Sequence, residues 1–177
     1  YNYDPEVSEE LAIAHGAVGL KVRKCVEKLK TDNPEFKYYL YDDIMCRDFI
    51  KTNFDENVLY TYDKLKPGAY KADLFRYGIL YKRGGIYSDL SQKIMIPIEN
   101  IIDLENDNLY LVEDRPQANF RGPNRGKMVE GIQISFMATR PKNKIYLDAI
   151  NEIVINTKNN FYGGNPLSPT GPHMFKR

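Results

Sequence analysis

The segment KADLFRYGILYKRGGIYSDLSQ, from Lys71 to Gln92, decides how this sequence is interpreted. Pro67 and Gly68 end the loop before it, and apolar residues then recur at helical spacing without an intervening proline. This pattern predicts a buried helix over 69–82. Gly84 or Gly85 can adopt the left-handed conformation that ends a helix without a Cβ clash. The chain is therefore expected to turn at these glycines and to enter a strand.

Two opposite charges on the predicted helix give the segment a chemical meaning. Asp73 and Arg76 are three residues apart, which places them roughly 60° apart around a helix axis and lets both face one cleft. The strand that follows the glycines ends near Asp89, and parallel sheets place their ligand sites at such strand ends. The simpler alternative for Asp73 and Arg76 is an ion pair on the helix surface.

The residues of this segment resemble a known family, the glycosyltransferases with a sugar-binding region and a DXD motif. That family includes yeast-type initiating mannosyltransferases and is distantly similar to the glucosylating clostridial toxins. The positions that match its pattern in register are Asp73, Arg76, Tyr77, Leu80, Tyr81, Gly84, Gly85, Ile86, Tyr87 and Asp89. Outside the segment, NPEF at 33–36, YLYDD at 39–43, FMAT at 136–139, Pro141 and TGP at 170–172 are similar to further family motifs. The resemblance thus covers nearly the whole chain.

The alternation of predicted strands and helices indicates an α/β fold, which we expect to be a three-layer α/β/α sandwich with a mostly parallel sheet. The resemblance implies that this is the GT-A-like nucleotide-sugar-binding fold. Length favours one domain over 1–177. The family usually begins with a strand of the nucleotide pocket, whereas this sequence begins YNYDPEVSEELAIAHG, so we expect that strand to be missing or divergent.

The resemblance implies a hexosyltransferase that moves a sugar from UDP or GDP to a hydroxyl of a glycan, protein or lipid, with retention at the anomeric carbon. Asp89 would contact the donor and help to hold Mn²⁺ or Mg²⁺, and Asp73 would hydrogen-bond the transferred sugar. Arg76 would orient Asp73 or touch the sugar and phosphate. The remaining positions expected to bind the donor are Tyr87, Gly84, Gly85, Thr170, Gly171, Pro172 and His173.

The second aspartate of the DXD motif is replaced by Ser91. A hydroxyl is a poorer ligand for a hard divalent cation than a carboxylate, so metal affinity should be reduced. Glu113 and Asp114, which we place at the end of a further strand from Leu109 to Val112, could supply the missing carboxylate or a base. The loop predicted over 115–128 would then be an acceptor-side lid. The alternative is that the two acids only cap a turn and pair with Arg115 or Arg121.

Composition excludes some partners. With 25 Lys plus Arg against 24 Asp plus Glu, the chain has no global field to capture nucleic acid. No apolar run is long enough to span a membrane. Cys25 and Cys46 lack the paired spacing of a zinc site and are expected to be free thiols, which favours a cytoplasmic location. The lumen of the secretory pathway remains the alternative if an anchor precedes these residues.

Two rival functions stay open. A degenerate relative would bind a nucleotide sugar or a glycan without turning it over, and the replacement at Ser91 supports this reading. An α/β interaction domain would bind no small ligand at all. Donor binding with and without turnover separates the three possibilities.

Overall fold

A computed structural model describes residues 17–90, 92–103, 108–119 and 122–176, with side chains from residue 22 onward. The chain forms two compact units. The first takes its described residues from Tyr1–Tyr41 and Ser88–Asp107, and the second from Asp42–Tyr87 and Asn108–Arg177. The expected single domain over 1–177 therefore stays a prediction, and each unit is described by itself.

The first unit is organised around Asn33, whose side chain is fully buried. Helix α1, Ala17–Asp32, ends directly before it. Asn33 Nδ2 donates to the Leu29 carbonyl at 2.8 Å, and its Oδ1 accepts from the backbone N–H of Ile98 at 2.6 Å. Ile98 begins a short 3-10 helix, Ile98–Asn100. One amide side chain thus joins the end of a helix to a distant turn, as buried polar groups require.

The alternating pattern over 36–41 predicts a strand, but the structure has no regular element there. Instead the hydroxyl of Tyr38 lies 2.9 Å from the carbonyl oxygens of both Leu29 and Asn33. The segment is therefore held by a side-chain contact to the end of α1 and not by a strand ladder. An alternating pattern of six residues is too short to distinguish these cases.

Four helices build most of the second unit: α2, Asp43–Asn53; α3, Glu56–Lys64; α4, Gly68–Arg83; and α5, Lys144–Lys158. The sequence predicts that Asp42 or Asp43 caps one helix and that Asp55 caps the next; in the structure Asp42 accepts from the N–H of Met45, and Asp55 accepts from the N–H groups of Asn57 and Val58. Such caps satisfy donors that have no partner inside the helix. No helix among the described residues has both the length and the apolarity that a membrane crossing needs.

The described sheet has three strands in the order β1-β3-β2, with β1 at Gly85–Ser88, β2 at Leu109–Ala118 and β3 at Met128–Thr139. The mixed α/β class is confirmed. The longest pair, β2 with β3, is antiparallel, whereas a mostly parallel sheet was expected; nine residues join the two strands, fewer than a crossover connection between parallel strands needs.

The irregular loop expected over 115–128 is wrong over 115–118, because β2 continues to Ala118, and β3 begins at Met128. Pro116 favours a loop at this point of the sequence, since proline usually interrupts a strand. Here it falls in a register shift between Asp114 and Gln117, where a missing N–H does not remove a ladder hydrogen bond. The carbonyl of Asn119 accepts from Gly126 at 2.9 Å and closes the turn.

Aromatic rings fasten the end of the chain to the second unit. The short helix α6, Pro172–Phe175, places the Phe175 ring parallel to that of Tyr77 on α4, with centroids 4.9 Å apart. Tyr146 on α5 lies 5.7 Å from the same Phe175 ring. All three side chains are buried. This cluster holds the segment before α6 against the helix that carries Asp73 and Arg76.

Gly84 is the point at which α4 turns into β1, as the sequence predicts. Its φ is +65°, and its N–H donates to the Leu80 carbonyl at 2.8 Å. A Cβ at this position would lie 2.6 Å from the backbone nitrogen of Pro141. Both the backbone conformation and the close approach therefore require glycine. Gly85 also has a positive φ, +84°, but a Cβ there would meet nothing within 4 Å.

We predict that Gly84→Ala lowers the free energy of unfolding by about 3 kcal/mol, because strain and a backbone clash add. Gly85→Ala, which adds only strain, should cost about 1 kcal/mol. Gly68→Ala is the matched control, since a Cβ there would enter open space at the start of a helix. Urea denaturation of the three variants measures the order, and equal losses for Gly84 and Gly85 would contradict the assigned contact with Pro141.

Candidate functional site

Asp73 and Arg76 form an ion pair inside the second unit and not on its surface. Arg76 Nη2 lies 3.3 Å from Asp73 Oδ1, and only 6% of the Arg76 side chain and 11% of the Asp73 side chain are exposed. A charge in such surroundings is costly unless every polar atom finds a partner. The surface ion pair that the sequence left open is therefore excluded.

Three elements fix the guanidinium of Arg76. Its Nη1 donates to the backbone carbonyl of Ile134 on β3 at 2.6 Å, and its Nε donates to the carbonyl of Ala72 at 3.3 Å. The Tyr87 ring covers the group, with its centroid 4.8 Å from Cζ. These contacts hold the planar guanidinium in one orientation towards Asp73. Arginine suits this role because its donors have a fixed geometry that matches a carboxylate.

The second oxygen of Asp73 is held by the segment before α6. The Thr170 hydroxyl donates to Asp73 Oδ2 at 2.7 Å, and the hydroxyl of Tyr77 donates to the Thr170 carbonyl at 3.1 Å. Burial, and next the charge of Asp73, raise the pKa of Tyr77 well above its usual value, so Tyr77 stays a donor. The TGP segment therefore docks on α4 through the predicted sugar-binding carboxylate.

The amide of Asn165 determines the tautomer of His173. Because the backbone N–H of Leu167 can only donate, and it lies 2.9 Å from Asn165 Oδ1, the opposite end of that amide is the donor. That donor, Nδ2, lies 2.8 Å from His173 Nδ1. His173 Nδ1 is consequently an acceptor, and in the neutral ring the proton sits on Nε2.

His173 Nε2 is a buried donor without a hydrogen-bond partner among the described residues. Burial lowers the pKa of His173, and the nearby carboxylate of Asp114 opposes that shift only in part. The ring therefore favours its neutral form. A buried unpaired N–H next to the Thr170-Gly171-Pro172 segment is the kind of exception that calls for an explanation.

Glu113 and Asp114 lie in the middle of β2 and not at the end of a strand, so their predicted position is wrong. They pair with Ile132 and Gly131 of β3. Lys176 lies 3.4 Å from Glu113 and 2.7 Å from Glu130, and it ties the end of α6 to the hairpin. Glu113 thus has a structural contact, and the compensating metal ligand or base proposed for these acids stays a prediction.

Asp89 lies in the first unit, directly after β1, and is half-buried. Ser91, the other expected metal-binding position, lies outside the described residues. The described part of the chain contains no group of three or more His, Cys, Asp or Glu that could hold a metal ion. One carboxylate nevertheless fits the way Mg²⁺ is usually held, by one or two carboxylates together with substrate phosphates.

The sequence does not predict the groups that hydrogen-bond to these side chains. The carbonyl of Ile134 is a backbone acceptor, and no side-chain pattern reveals it. Asn165 donates a hydrogen bond of 3.3 Å to Asn119, and both residues occur in segments that the sequence predicts to be loops. Only the density of Asn, Gly and Pro in both loops could have marked them, because such residues fold loops through local hydrogen bonds.

The chain is similar to curated glycosyltransferases over part of its length. It is 37% identical over 87 residues to an uncharacterized glycosyltransferase of Acanthamoeba polyphaga mimivirus, covering 49% of this chain and 35% of the relative. It is 30% identical over 103 residues to the initiation-specific alpha-1,6-mannosyltransferase of Candida albicans, covering 57% and 24%. A third relative, inositol phosphoceramide mannosyltransferase 3 of Schizosaccharomyces pombe, is 43% identical over 58 residues, covering 33% and 16%.

The chain spans about a third or less of the length of these relatives. The family described as "glycosyltransferase sugar-binding region containing DXD motif" matches residues 19–107, half of the chain. That match contains Asp73, Arg76, Tyr87 and Asp89. Since the match carries the residues of the expected donor site, the chain belongs to this glycosyltransferase family.

Proposed function

We propose that this chain is the donor-binding part of a hexosyltransferase with a GT-A-like fold, which transfers a sugar from a nucleoside diphosphate to a hydroxyl with retention at the anomeric carbon. The observation that carries the proposal is the buried Asp73–Arg76 pair inside the segment that matches the family. The relatives named as mannosyltransferases favour mannose as the hexose and a glycan or lipid as the acceptor.

Asp73 is the proposed acceptor of hydrogen bonds from the transferred sugar. Its two oxygens contact Arg76 and Thr170, and these contacts fix the orientation of the carboxylate. Gly171 packs closely beside this carboxylate, because a Cβ at Gly171 would lie 3.5 Å from Asp73 Oδ2 and 3.2 Å from the Leu167 carbonyl oxygen. A fixed carboxylate of this kind orients the sugar for displacement at its anomeric carbon.

Arg76 is proposed as a positioning residue. The described hydrogen bonds of its guanidinium go to Ala72, Ile134 and Asp73, and Tyr87 covers its face. These contacts support the first of the two roles expected from the sequence, the orientation of Asp73. His173 is proposed to reach the donor phosphates through its Nε2–H, since that buried donor has no hydrogen-bond partner within the described part of the chain.

Asp89 is proposed to hold Mn²⁺ or Mg²⁺ together with the diphosphate of the donor, with a weak contribution from Ser91. The metal would neutralise the charge that develops on the diphosphate leaving group. Because the protein supplies few ligands, metal affinity should be low until the nucleotide is bound.

A non-catalytic sugar-binding protein is the second candidate. It is favoured by the replacement at Ser91 and by the internal contacts of both Asp73 oxygens. Isothermal titration with GDP-mannose and UDP-glucose, with and without Mn²⁺, and an assay for released nucleoside diphosphate separate the two. Binding without release of diphosphate in the presence of candidate acceptors would favour the second candidate.

We predict that Asp89→Ala lowers donor affinity or transfer by about 100-fold. The substitution removes a proposed ligand of the metal, and that metal would balance the negative charge of the diphosphate. The melting temperature should stay unchanged. Glu99→Ala is the matched control, since Glu99 is an exposed acid of the same unit and should behave like wild type. Full activity of Asp89→Ala would remove the central assignment.

We predict that Thr170→Val lowers kcat/KM for transfer by about 10-fold, the effect of losing a hydrogen bond to a charged group of about 1.5 kcal/mol. Valine keeps the shape of threonine but cannot donate to Asp73. Thr52→Val is the control, because the exposed Thr52 hydroxyl contacts only the carbonyl of Asp48 in its own helix. If Thr170→Val matches wild type, the contact does not orient Asp73 for catalysis.

A pH dependence follows from the lowered pKa of His173. The unfolded chain binds a proton at His173 below a pH of about 6.5, whereas the folded chain keeps the ring neutral further into the acid range. The free energy of unfolding should therefore fall as the pH drops from 7.5 to about 5.5. The fall should be smaller in His173→Gln, and urea denaturation at each pH measures both. An identical pH profile in wild type and His173→Gln would contradict this assignment.

A further inference from the structure

Asn156 places an amide on the buried face of α5. The residues buried beside it on this helix are apolar or aromatic: Tyr146, Ala149, Ile150, Ile153 and Val154. Asn156 Nδ2 donates to the carbonyl oxygen of Pro169 at 2.9 Å. Because a carbonyl can only accept, the donor end of the amide faces it. A buried amide is costly without such a partner, so this contact ties Pro169 to α5.

Two helices hold the two peptide groups on either side of Thr170. The Pro169 carbonyl belongs to the peptide group that precedes the Thr170 Cα, and Asn156 holds it from α5. The Thr170 carbonyl belongs to the peptide group that follows, and the Tyr77 hydroxyl donates to it from α4 at 3.1 Å. Peptide groups are planar, and only φ and ψ of Thr170 rotate between these two. Fixing both planes therefore fixes both dihedral angles of Thr170.

The neighbours of Thr170 are restrained in other ways. Pro169 and Pro172 have φ fixed by their rings. The carbonyl of Gly171 accepts from two N–H groups of α6, at 3.0 and 3.1 Å. The hydrogen bonds from Asn156 and Tyr77 thus complete the restraint of the segment between the two prolines.

The fixed backbone determines where the Thr170 hydroxyl can point. Once φ and ψ are set, its direction depends on χ1 alone, and a β-branched side chain has few allowed values of χ1. In the structure the hydroxyl donates to Asp73 Oδ2 at 2.7 Å, and Thr170 is buried. A rotation of either flanking peptide plane would move this hydroxyl away from Asp73.

We propose that Asn156 and Tyr77 are positioning residues of the transfer reaction, which orient Asp73 through the backbone and hydroxyl of Thr170. This inference rests on the proposed function, since the orientation of Asp73 affects turnover only if Asp73 holds the sugar. It deepens that function by assigning the orientation in part to α5. Asn156 lies outside residues 19–107, which match the family.

The direct test needs no donor and measures χ1 of Thr170 by NMR. Three-bond scalar couplings from the Thr170 Cγ2 to its backbone nitrogen and carbonyl carbon report whether χ1 keeps one value. Wild type should show a single rotamer. Tyr77→Phe removes only the hydroxyl and keeps the ring that stacks on Phe175, and Asn156→Leu removes the amide. Both variants should give averaged couplings, and wild-type couplings in both would overturn the proposal.

The chain offers a matched control for each variant. Tyr146 belongs to the same aromatic cluster as Tyr77, but its buried hydroxyl has no hydrogen-bond partner among the described residues. Asn53 Nδ2 donates at 2.9 Å to the Phe49 carbonyl of its own helix. Tyr146→Phe and Asn53→Leu should keep the wild-type couplings of Thr170. Equal averaging in Tyr77→Phe and Tyr146→Phe would overturn the proposal, because the contact with Thr170 would then not be the cause.

Kinetics distinguish positioning from a general structural role. Tyr77→Phe and Asn156→Leu should each lower kcat/KM about fivefold, the effect of losing a neutral hydrogen bond. In the Thr170→Val background neither substitution should lower kcat/KM further, because both act through the hydroxyl that valine lacks. An equal loss with and without the Thr170 hydroxyl would overturn the proposal.

Donor titration keeps the two proposals apart. If GDP-mannose and UDP-glucose fail to bind wild type while Tyr77→Phe and Asn156→Leu still average the couplings, the proposed transferase fails and the control of Thr170 by these residues stands. If wild type releases diphosphate from a donor but both variants keep wild-type couplings and kcat/KM, the transferase stands and the positioning role fails.

Discussion

The buried ion pair between Asp73 and Arg76 is the interaction on which the second unit depends. A buried charge needs hydrogen-bond partners for each of its polar atoms, and these partners come from several elements of the unit. The carboxylate accepts a hydrogen bond from Thr170 in the segment before α6, and the guanidinium donates one to the Ile134 carbonyl of the sheet. Removing either partner would leave the other charge buried without its counter-charge, which typically costs several kcal/mol. The pair therefore determines where the sheet and the terminal segment sit against α4.

The same constraint explains the glycines and aromatic residues around the pair. Gly84 lets the chain turn directly after α4, so that β1 brings Tyr87 over the Arg76 guanidinium. Phe175 stacks on Tyr77 and keeps the Thr170 segment docked. These residues reduce the number of arrangements that Asp73 and Arg76 can adopt. Such preorganisation is what a sugar-binding carboxylate needs.

The sequence revealed features that depend on local chemistry. The helix expected over 69–82 is observed at Gly68–Arg83, and the caps at Asp42 and Asp55 are present, because caps and breakers act within a few residues. The strand expected over 36–41 is absent, and β2 extends past Pro116. These two cases depend on which segments become neighbours in space. For the same reason the sequence does not predict the contact of Arg76 with a backbone carbonyl or the contact of the Asn165 amide with His173. The convergence of Asp89 with Asp73 stays a prediction.

The hydrogen bonds of the buried pair also have a consequence for how the second unit forms. They join residues 58 and 97 positions apart in the chain, so neither bond can be made by a locally folded fragment. Before the distant segments contact α4, Asp73 and Arg76 lack these hydrogen-bond partners, and burying the two charges is therefore unfavourable. Contacts of such long sequence separation slow folding and make it cooperative. The pair proposed to hold a sugar thus also disfavours partly folded states of this unit, because Thr170 and the Ile134 carbonyl are not yet in contact with it.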